Sequence, residues 1–244
     1  MIKKVGINLK NKLLVSSLTL AATSILIASP IIAAVHQSAE SEAKVTFTAP
    51  EDTPEILDPE TLEPQTPEDG DVTNNKGPLS LDFVSNIDFG SHEIPVSAET
   101  YEAVTEKPFI QVTDRRGTGQ GWSVSAQASN FEQNGQNTLN DSTITFSNGE
   151  SASPLEGLEA PVVQQNIVLT TGGDSAPVVE AAGRGENESI SNAQGLGTWV
   201  IRWLKGEGND TNEKVKLSVP QGQASAGEHT STITWTLYDG PGNN

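Results

Sequence analysis

The last stretch of the chain alternates strictly between apolar and polar residues, and few structures satisfy that pattern. Ile233, Trp235 and Leu237 fall on one face of an extended segment, and the threonines between them fall on the other. β-branched and aromatic residues favour a pleated strand, and the Asp-Gly-Pro sequence at 239–241 ends it. We therefore predict a terminal β-strand whose Trp-x-Leu pair either points into a core or is presented to a ligand.

Short runs with strand character recur from residue 79 onward, and clusters of Gly, Asn, Asp and Ser separate them. No long window in this region repeats apolar residues at helical spacing. We therefore predict an all-β fold over residues 79–244, either an antiparallel sandwich or a barrel-like domain. The strand-like runs before the terminal one are residues 79–83, 109–113, 122–126, 143–146, 166–170, 198–204 and 214–219.

Residues 1–34 have the order of a secretory signal peptide. Four lysines at the start precede a long uncharged apolar run, which Pro30 interrupts before the small residues that end at Ala34. We expect cleavage after Ala34, or as late as Ala43, which gives a secreted chain with no membrane insertion. The competing interpretation is a retained membrane anchor, because the uncharged run is long enough to span a bilayer.

Residues 35–78 are predicted to hold a short strand and a linker. The segment from Lys44 to Thr48 alternates as a strand does. Residues 49–78 then contain six prolines and nine acidic residues, and their few apolar side chains do not offset the entropy of ordering the chain. We therefore predict a disordered, self-repelling spacer. The alternative is a weak site for a divalent cation or a basic partner, although the segment lacks the pattern of a dedicated calcium loop.

Charge and composition argue against several classes of function. The formal net charge of −18 disfavours binding to nucleic acid, anionic lipids or anionic wall polymers. The chain has no Cys, which removes disulfides and thiolate metal sites. It has only three histidines and no G-x-S-x-G, H-E-x-x-H or P-loop sequence. We therefore predict that the protein is not an enzyme, and that it has no catalytic residues, no cofactor and no resident metal.

A second Trp-x-aliphatic pair occurs in the middle of the chain, at Trp122 and Val124. The terminal pair at Trp235 and Leu237 has the same spacing as this central pair. Residues 79–90, which begin the strand-rich region, precede both pairs. In this combination the chain resembles the WxL domain, which belongs to surface proteins of low-GC Gram-positive bacteria.

The resemblance covers residues 78–244 and has two departures. Val124 stands where the family name has Leu, which is a conservative change. His229 stands where the closing motif usually carries a Tyr, which puts in doubt any contact that needs a phenol there. Neither departure changes the expected fold.

Resemblance to this family implies a non-enzymatic surface protein attached non-covalently to the Gram-positive cell wall, with peptidoglycan as the ligand. No L-P-x-T-G sorting signal follows Pro241, which fits non-covalent attachment. The alternative is a multi-protein complex at the cell surface. In that case the domain binds a membrane-anchored partner protein, and retention at the wall is indirect.

The candidate ligand-binding residues are the two motif pairs and two further tryptophans. Trp199 and Trp203 share a face with Ile201 if their segment is a strand. One interpretation is that all these rings fill the core of a sandwich. The other is that they lie in a surface groove and stack on the sugar rings of the wall. The predicted set is Trp122, Val124, Trp235, Leu237, Trp199 and Trp203.

Overall fold

The computed structural model describes residues 37, 39–67 and 69–242. The predicted signal peptide at 1–34 lies outside these residues. Among the residues described, no helix is long and apolar enough to cross a membrane. The chain divides into two compact units, residues 1–46 and 47–244, and the fold described below belongs to the second.

Strands make up nearly all the regular structure, together with one short 3₁₀ helix at Ile190–Asn192. The described part of the chain contains no α-helix, and the predicted all-β class is confirmed. The strands are β1 (Asp71–Val72), β2 (Leu79–Val84), β3 (Glu99–Ala103), β4 (Phe109–Asp114), β5 (Trp122–Ala128), β6 (Phe131–Gln133), β7 (Gln136–Thr138), β8 (Thr143–Ser147), β9 (Glu150–Ala152), β10 (Val162–Val163), β11 (Asn166–Thr170), β12 (Ala176–Ala181), β13 (Gly197–Arg202), β14 (Asn212–Val219) and β15 (Ile233–Asp239).

These strands form three larger sheets and one hairpin, and every strand pair is antiparallel, as predicted. The first sheet has the order β1-β2-β4-β13-β9. The motif sheet, which carries both Trp-x-aliphatic pairs, has the order β10-β12-β5-β15. The third sheet has the order β11-β8-β14-β3, and β6 pairs with β7. Across the described residues, each sheet is open and none closes into a barrel.

One hydrophobic core is shared by the three larger sheets. Each strand turns alternate residues to one face, and the buried ones include Ile110 from the first sheet, Val124 from the motif sheet and Phe146 from the third. These strands are far apart in the sequence, so the packing of whole sheet faces holds the fold together. The chain has no Cys and therefore no disulfide that would reinforce this packing.

The first sheet is covered on its other face by part of the predicted spacer. Ile56 and Leu57 are buried there in a second cluster with Phe83, Phe109 and Val200. This part of the spacer is therefore ordered, because two adjacent apolar side chains find a buried site that the acidic composition around them does not suggest.

The side chain of Gln111 fixes the backbone of that covering segment. Its Oε1 accepts a hydrogen bond from the amide of Leu57 at 2.9 Å, and its Nε2 donates to the carbonyl of Glu55 at 2.9 Å. The predicted short strand at 44–48 is not found among the described residues, where this segment is exposed and has no strand pairing.

Candidate functional site

The two Trp-x-aliphatic pairs lie on neighbouring strands of the motif sheet. In the register of β5 with β15, Val124 is opposite Leu237 and Asp239 is opposite Trp122. Residues opposite each other in an antiparallel pair point to the same face. Both pairs therefore face the shared core, and the sequence correctly predicts that each Trp shares a face with its aliphatic partner.

Trp122 is a core residue. Its exposed fraction is 0%, and that of Val124 is 1%. The indole Nε1 of Trp122 donates a hydrogen bond to the carbonyl of Gly195 at 2.9 Å. Gly195 has a φ of +70°, and a Cβ atom placed on it would lie 2.6 Å from that nitrogen. Trp122 thus fills a closed space under a loop that only glycine fits.

Trp199 and Trp203 are buried as well. Trp199 donates from its Nε1 to the carbonyl of Leu196 at 2.9 Å. Trp203 packs against Phe146, with ring centroids 5.0 Å apart, and its buried Nε1 has no hydrogen-bond partner among the described residues. Both side chains therefore support the core rather than line a groove.

Trp235 and Leu237 are the members of the predicted set that keep partial exposure. They lie on β15, which is the edge strand of its sheet. The Trp235 ring contacts the core at one side, since its centroid is 5.7 Å from that of Phe146 and 6.3 Å from that of Trp203. The core interpretation thus accounts for four of the predicted residues, and these two lie at its rim.

Arg116 joins the ends of the two motif strands. Its guanidinium donates to both carboxylate oxygens of Asp114, at 3.0 Å and 2.7 Å, and to the carbonyl of Gly121 at 2.7 Å. It also bonds to Asp239 at the end of β15. The Asp114 carboxylate is fully buried, and its hydrogen bond raises the pKa of Arg116. The sequence did not single out Arg116, because its partner Asp239 is distant in the chain.

The opposite face of the motif sheet is polar, since alternation turns the residues between the motif positions outward. The register places Gln127 opposite Thr234, Ser125 opposite Thr236, and Ser123 opposite Tyr238. The three residues of β15 in this group are exposed. We call this surface the hydroxyl face and define it as Ser123, Ser125, Gln127, Thr234, Thr236 and Tyr238.

The outer edge of β15 carries unpaired backbone groups. Gly240 donates to the carbonyl of Gly121, and Ser129 donates to that of Thr232. Because hydrogen-bonded residues alternate along an antiparallel strand, these two bonds determine which residues of β15 direct their backbone groups towards β5. The amides and carbonyls of Ile233, Trp235 and Leu237 must then point away from β5. In the described part of the chain, no strand pairs with that edge. An extended segment from another chain fits such an edge.

His229 has a structural setting. Its Nδ1 is 2.9 Å from the hydroxyl of Thr138, and its Nε2 is 2.9 Å from the carbonyl of Ser225. The imidazole therefore links β7 to the segment that leads into β15. No cluster of three or more His, Asp or Glu side chains that could hold a metal is found in the residues that the structure describes.

Comparison with known proteins gives one match. The family model described as "WxL domain surface cell wall-binding" matches residues 34–241, which is most of the chain. The match includes the segment around Ile56 and Leu57 that covers the first sheet. No curated protein and no solved structure matches the chain.

Proposed function

The chain belongs to the WxL family of surface proteins that bind the cell wall, and on this premise we propose that its ligand is peptidoglycan, held without a covalent bond. Membership of the family places the protein at the cell surface, in association with the wall. The observation that carries the proposal is the length of the match, which runs through both motif strands and all three larger sheets.

Charge favours an uncharged part of the wall as the target. The net charge of −18 repels anionic wall polymers, and this repulsion reaches over about 10 Å at moderate ionic strength. The sugar rings of peptidoglycan carry hydroxyl and amide groups that need no charge for recognition. We therefore expect apolar and hydrogen-bonding contacts to supply the affinity.

The motif residues divide into two roles under this proposal. Trp122 and Val124 build the sheet, because a side chain with no solvent exposure does not reach a wall polymer. Trp199 on β13 and Trp203, which directly follows that strand, are buried in the same core and act in the same way. Trp235 and Leu237 remain candidates for contact with the ligand.

A sedimentation assay tests the proposal. The full chain, matured by a secreting host, is mixed with purified peptidoglycan from which anionic polymers and proteins have been removed. We expect it to sediment with the peptidoglycan at both low and high salt, since ionic attraction contributes little. Absence of binding at every salt concentration contradicts the proposal.

The second candidate function is binding to a partner protein at the cell surface. The unpaired edge of β15 favours it, because an extended segment of another chain would complete the ladder at Ile233, Trp235 and Leu237. Under this alternative, sedimentation with the wall requires the partner. Adding back the proteins extracted from native wall would then restore binding that purified peptidoglycan lacks.

We further propose that the protein has no enzymatic activity of its own, in keeping with a family that binds the wall. Prolonged incubation with peptidoglycan should release neither reducing sugars nor free amines. Release of either, lost on heat denaturation of the protein, would identify a hydrolase.

A further inference from the structure

We infer that the hydroxyl face is the surface that contacts the glycan strands of peptidoglycan, on the side of the motif sheet opposite to the tryptophans. The inference rests on the proposed function, because it names the surface through which that binding occurs. It gives the buried pair Trp122 and Val124 an indirect role. Trp122 and Trp235 are held on the inner face of the motif sheet. Because side chains alternate along a strand, the residues adjacent to them in the sequence are then held on the outer face.

The exposed part of the hydroxyl face is Gln127 on β5 with Thr234, Thr236 and Tyr238 on β15, whereas Ser125 is half-buried and Ser123 is buried. β5 and β15 are adjacent strands, so the two rows of the face are about 4.8 Å apart, and residues within a row are about 6.8 Å apart. Ser, Thr and Tyr hydroxyls each donate and accept, and the amide of Gln127 does both. Such an array suits a ligand that carries hydroxyl and amide groups at regular intervals.

This face carries little charge, which favours a neutral ligand. Among the strand residues described in the motif sheet, Glu180 of β12 is the one acidic residue that points to this side, beside Ser123. The chain as a whole has 32 acidic and 14 basic residues. A surface nearly free of both, in so charged a protein, selects an uncharged polymer and leaves the rest of the surface to repel anionic ones.

The corresponding outer face of the third sheet provides a contrast. It also carries threonines at alternate positions, Thr143 and Thr145 on β8. Lys216 lies opposite Thr145, however, and its Nζ is 3.0 Å from the carboxylate of Glu102. That face thus carries an ion pair, whereas the internal contacts of the hydroxyl face are hydrogen bonds, from Gln127 to the carbonyl of Gly173 at 2.8 Å and from Ser123 to that of Gly240 at 3.4 Å.

Tyr238 supplies an apolar surface at one end of the array. Its side chain is among the large exposed ones, at 49% of its full area, and its hydroxyl is 3.4 Å from that of Ser125. The phenol ring thus lies beside the row of hydroxyls and is open to solvent. An aromatic ring with a polar tip suits a sugar, which has an apolar face and polar edges.

The test removes the functional groups of the face and keeps the strand. The variant Thr234→Val/Thr236→Val/Tyr238→Ala loses three hydroxyls and the aromatic ring, while valine keeps the β-branched shape that strands favour. Its matched control, Thr143→Val/Thr145→Val, makes the same hydroxyl-to-methyl change on the third sheet. Circular dichroism and thermal unfolding establish that both variants fold. Each is then assayed as the full chain for sedimentation with purified peptidoglycan.

We expect the affinity of the hydroxyl-face variant to fall by at least about tenfold, because several neutral hydrogen bonds and a ring contact are lost. The affinity of the control should stay within about twofold of that of the unaltered protein. Equal affinity for all three proteins overturns the inference and leaves the proposed function intact. Failure of the unaltered protein to bind peptidoglycan instead overturns the proposed function, and the inference with it.

The unaltered protein offers a second readout that needs no variant. The chain has two tyrosines, and Tyr101 on the third sheet is stacked on His92 with ring centroids 4.1 Å apart. Saturating peptidoglycan should protect Tyr238 from nitration and leave Tyr101 as reactive as in the free protein. Unchanged reactivity of Tyr238 in the bound protein contradicts the inference.

Discussion

β5 and β15 carry the same Trp-x-aliphatic pattern on the same face of the same sheet, yet they bury it to different extents. β5 lies between β12 and β15, and Trp122 is inaccessible to solvent. β15 has a neighbour on one side, and Trp235 is half-buried. The spacing of the residues decides which face they occupy, whereas the position of the strand in the sheet decides how deeply they are buried.

The largest effect should come from the central copy of the motif. Trp122→Ala removes a fully buried indole and its hydrogen bond to Gly195, so we expect a loss of about 3–5 kcal/mol in the free energy of unfolding. Urea unfolding followed by circular dichroism measures it. A loss below about 1 kcal/mol would show that this position tolerates a cavity, and would break the contrast between the two strands.

The next effect concerns the link between the two strands. Arg116→Gln leaves the buried carboxylate of Asp114 without its ion pair and frees Asp239, so we expect a loss of about 2–3 kcal/mol. Hydrogen exchange should accelerate at the C-terminal end of β15. The matched control is Arg115→Gln, whose pair with the exposed Asp52 should be worth less than about 1 kcal/mol. Equal losses for the two variants would contradict this role for Arg116.

A smaller effect is expected at the edge copy of the motif. Trp235→Ala removes a half-buried ring that contacts Phe146 and Trp203, and roughly 1–2 kcal/mol should be lost. The control Trp235→Phe keeps an aromatic contact and should recover most of that loss. The same urea titrations give both values. If Trp235→Ala costs as much as Trp122→Ala, burial does not distinguish the two copies.

The smallest effect is expected outside the motif sheet, at Asp82. It tests whether the difference between the two motif strands is independent of the rest of the fold. Burial raises the pKa of Asp82, against the opposing effect of hydrogen bonds from Ser80, Thr113 and Gln111. A raised pKa means that the folded state binds the proton more tightly than the unfolded state does. This contribution to stability is fully present below the ordinary pKa of an Asp and is lost as pH rises through the raised one.

The unaltered protein should therefore gain stability relative to Asp82→Asn as pH falls from neutral towards the ordinary pKa of an Asp. Urea titrations across that pH range measure the difference. The gap between Trp122→Ala and Trp235→Ala should stay constant over the same range. A relative loss of stability on acidification would reverse the assigned direction of the Asp82 shift.

Much of the fold followed from local pattern. The runs at 122–126, 143–146 and 214–219 alternate between apolar and polar residues, those at 109–113 and 166–170 are rich in β-branched and other apolar residues, and each lies within a strand. β3 and β12 were not predicted, because β3 carries two acidic residues and β12 contains Pro177. Such strands are stabilised by the neighbours that pair with them rather than by their own propensity.

The site was less predictable than the fold, because its properties depend on contacts between distant residues. Periodicity places Trp122 and Val124 on one face, but their burial depends on β12 and β15 flanking β5. The role of Arg116 depends likewise on Asp239. The average composition of the acidic segment also gave no sign that Ile56 and Leu57 would be buried. These two apolar residues order their part of the segment because the first sheet provides a buried site for them.

Hydroxyl-radical footprinting of the unaltered protein, free and bound to peptidoglycan, tests most directly whether the motif supports the sheet from within while the outer face binds. In the free protein we expect oxidation at Tyr238 and Trp235, with Trp122 protected. Binding should lower the oxidation of Tyr238 and leave Trp122 unchanged. Oxidation of Trp122 in the free protein, followed by its protection in the bound one, would contradict the account.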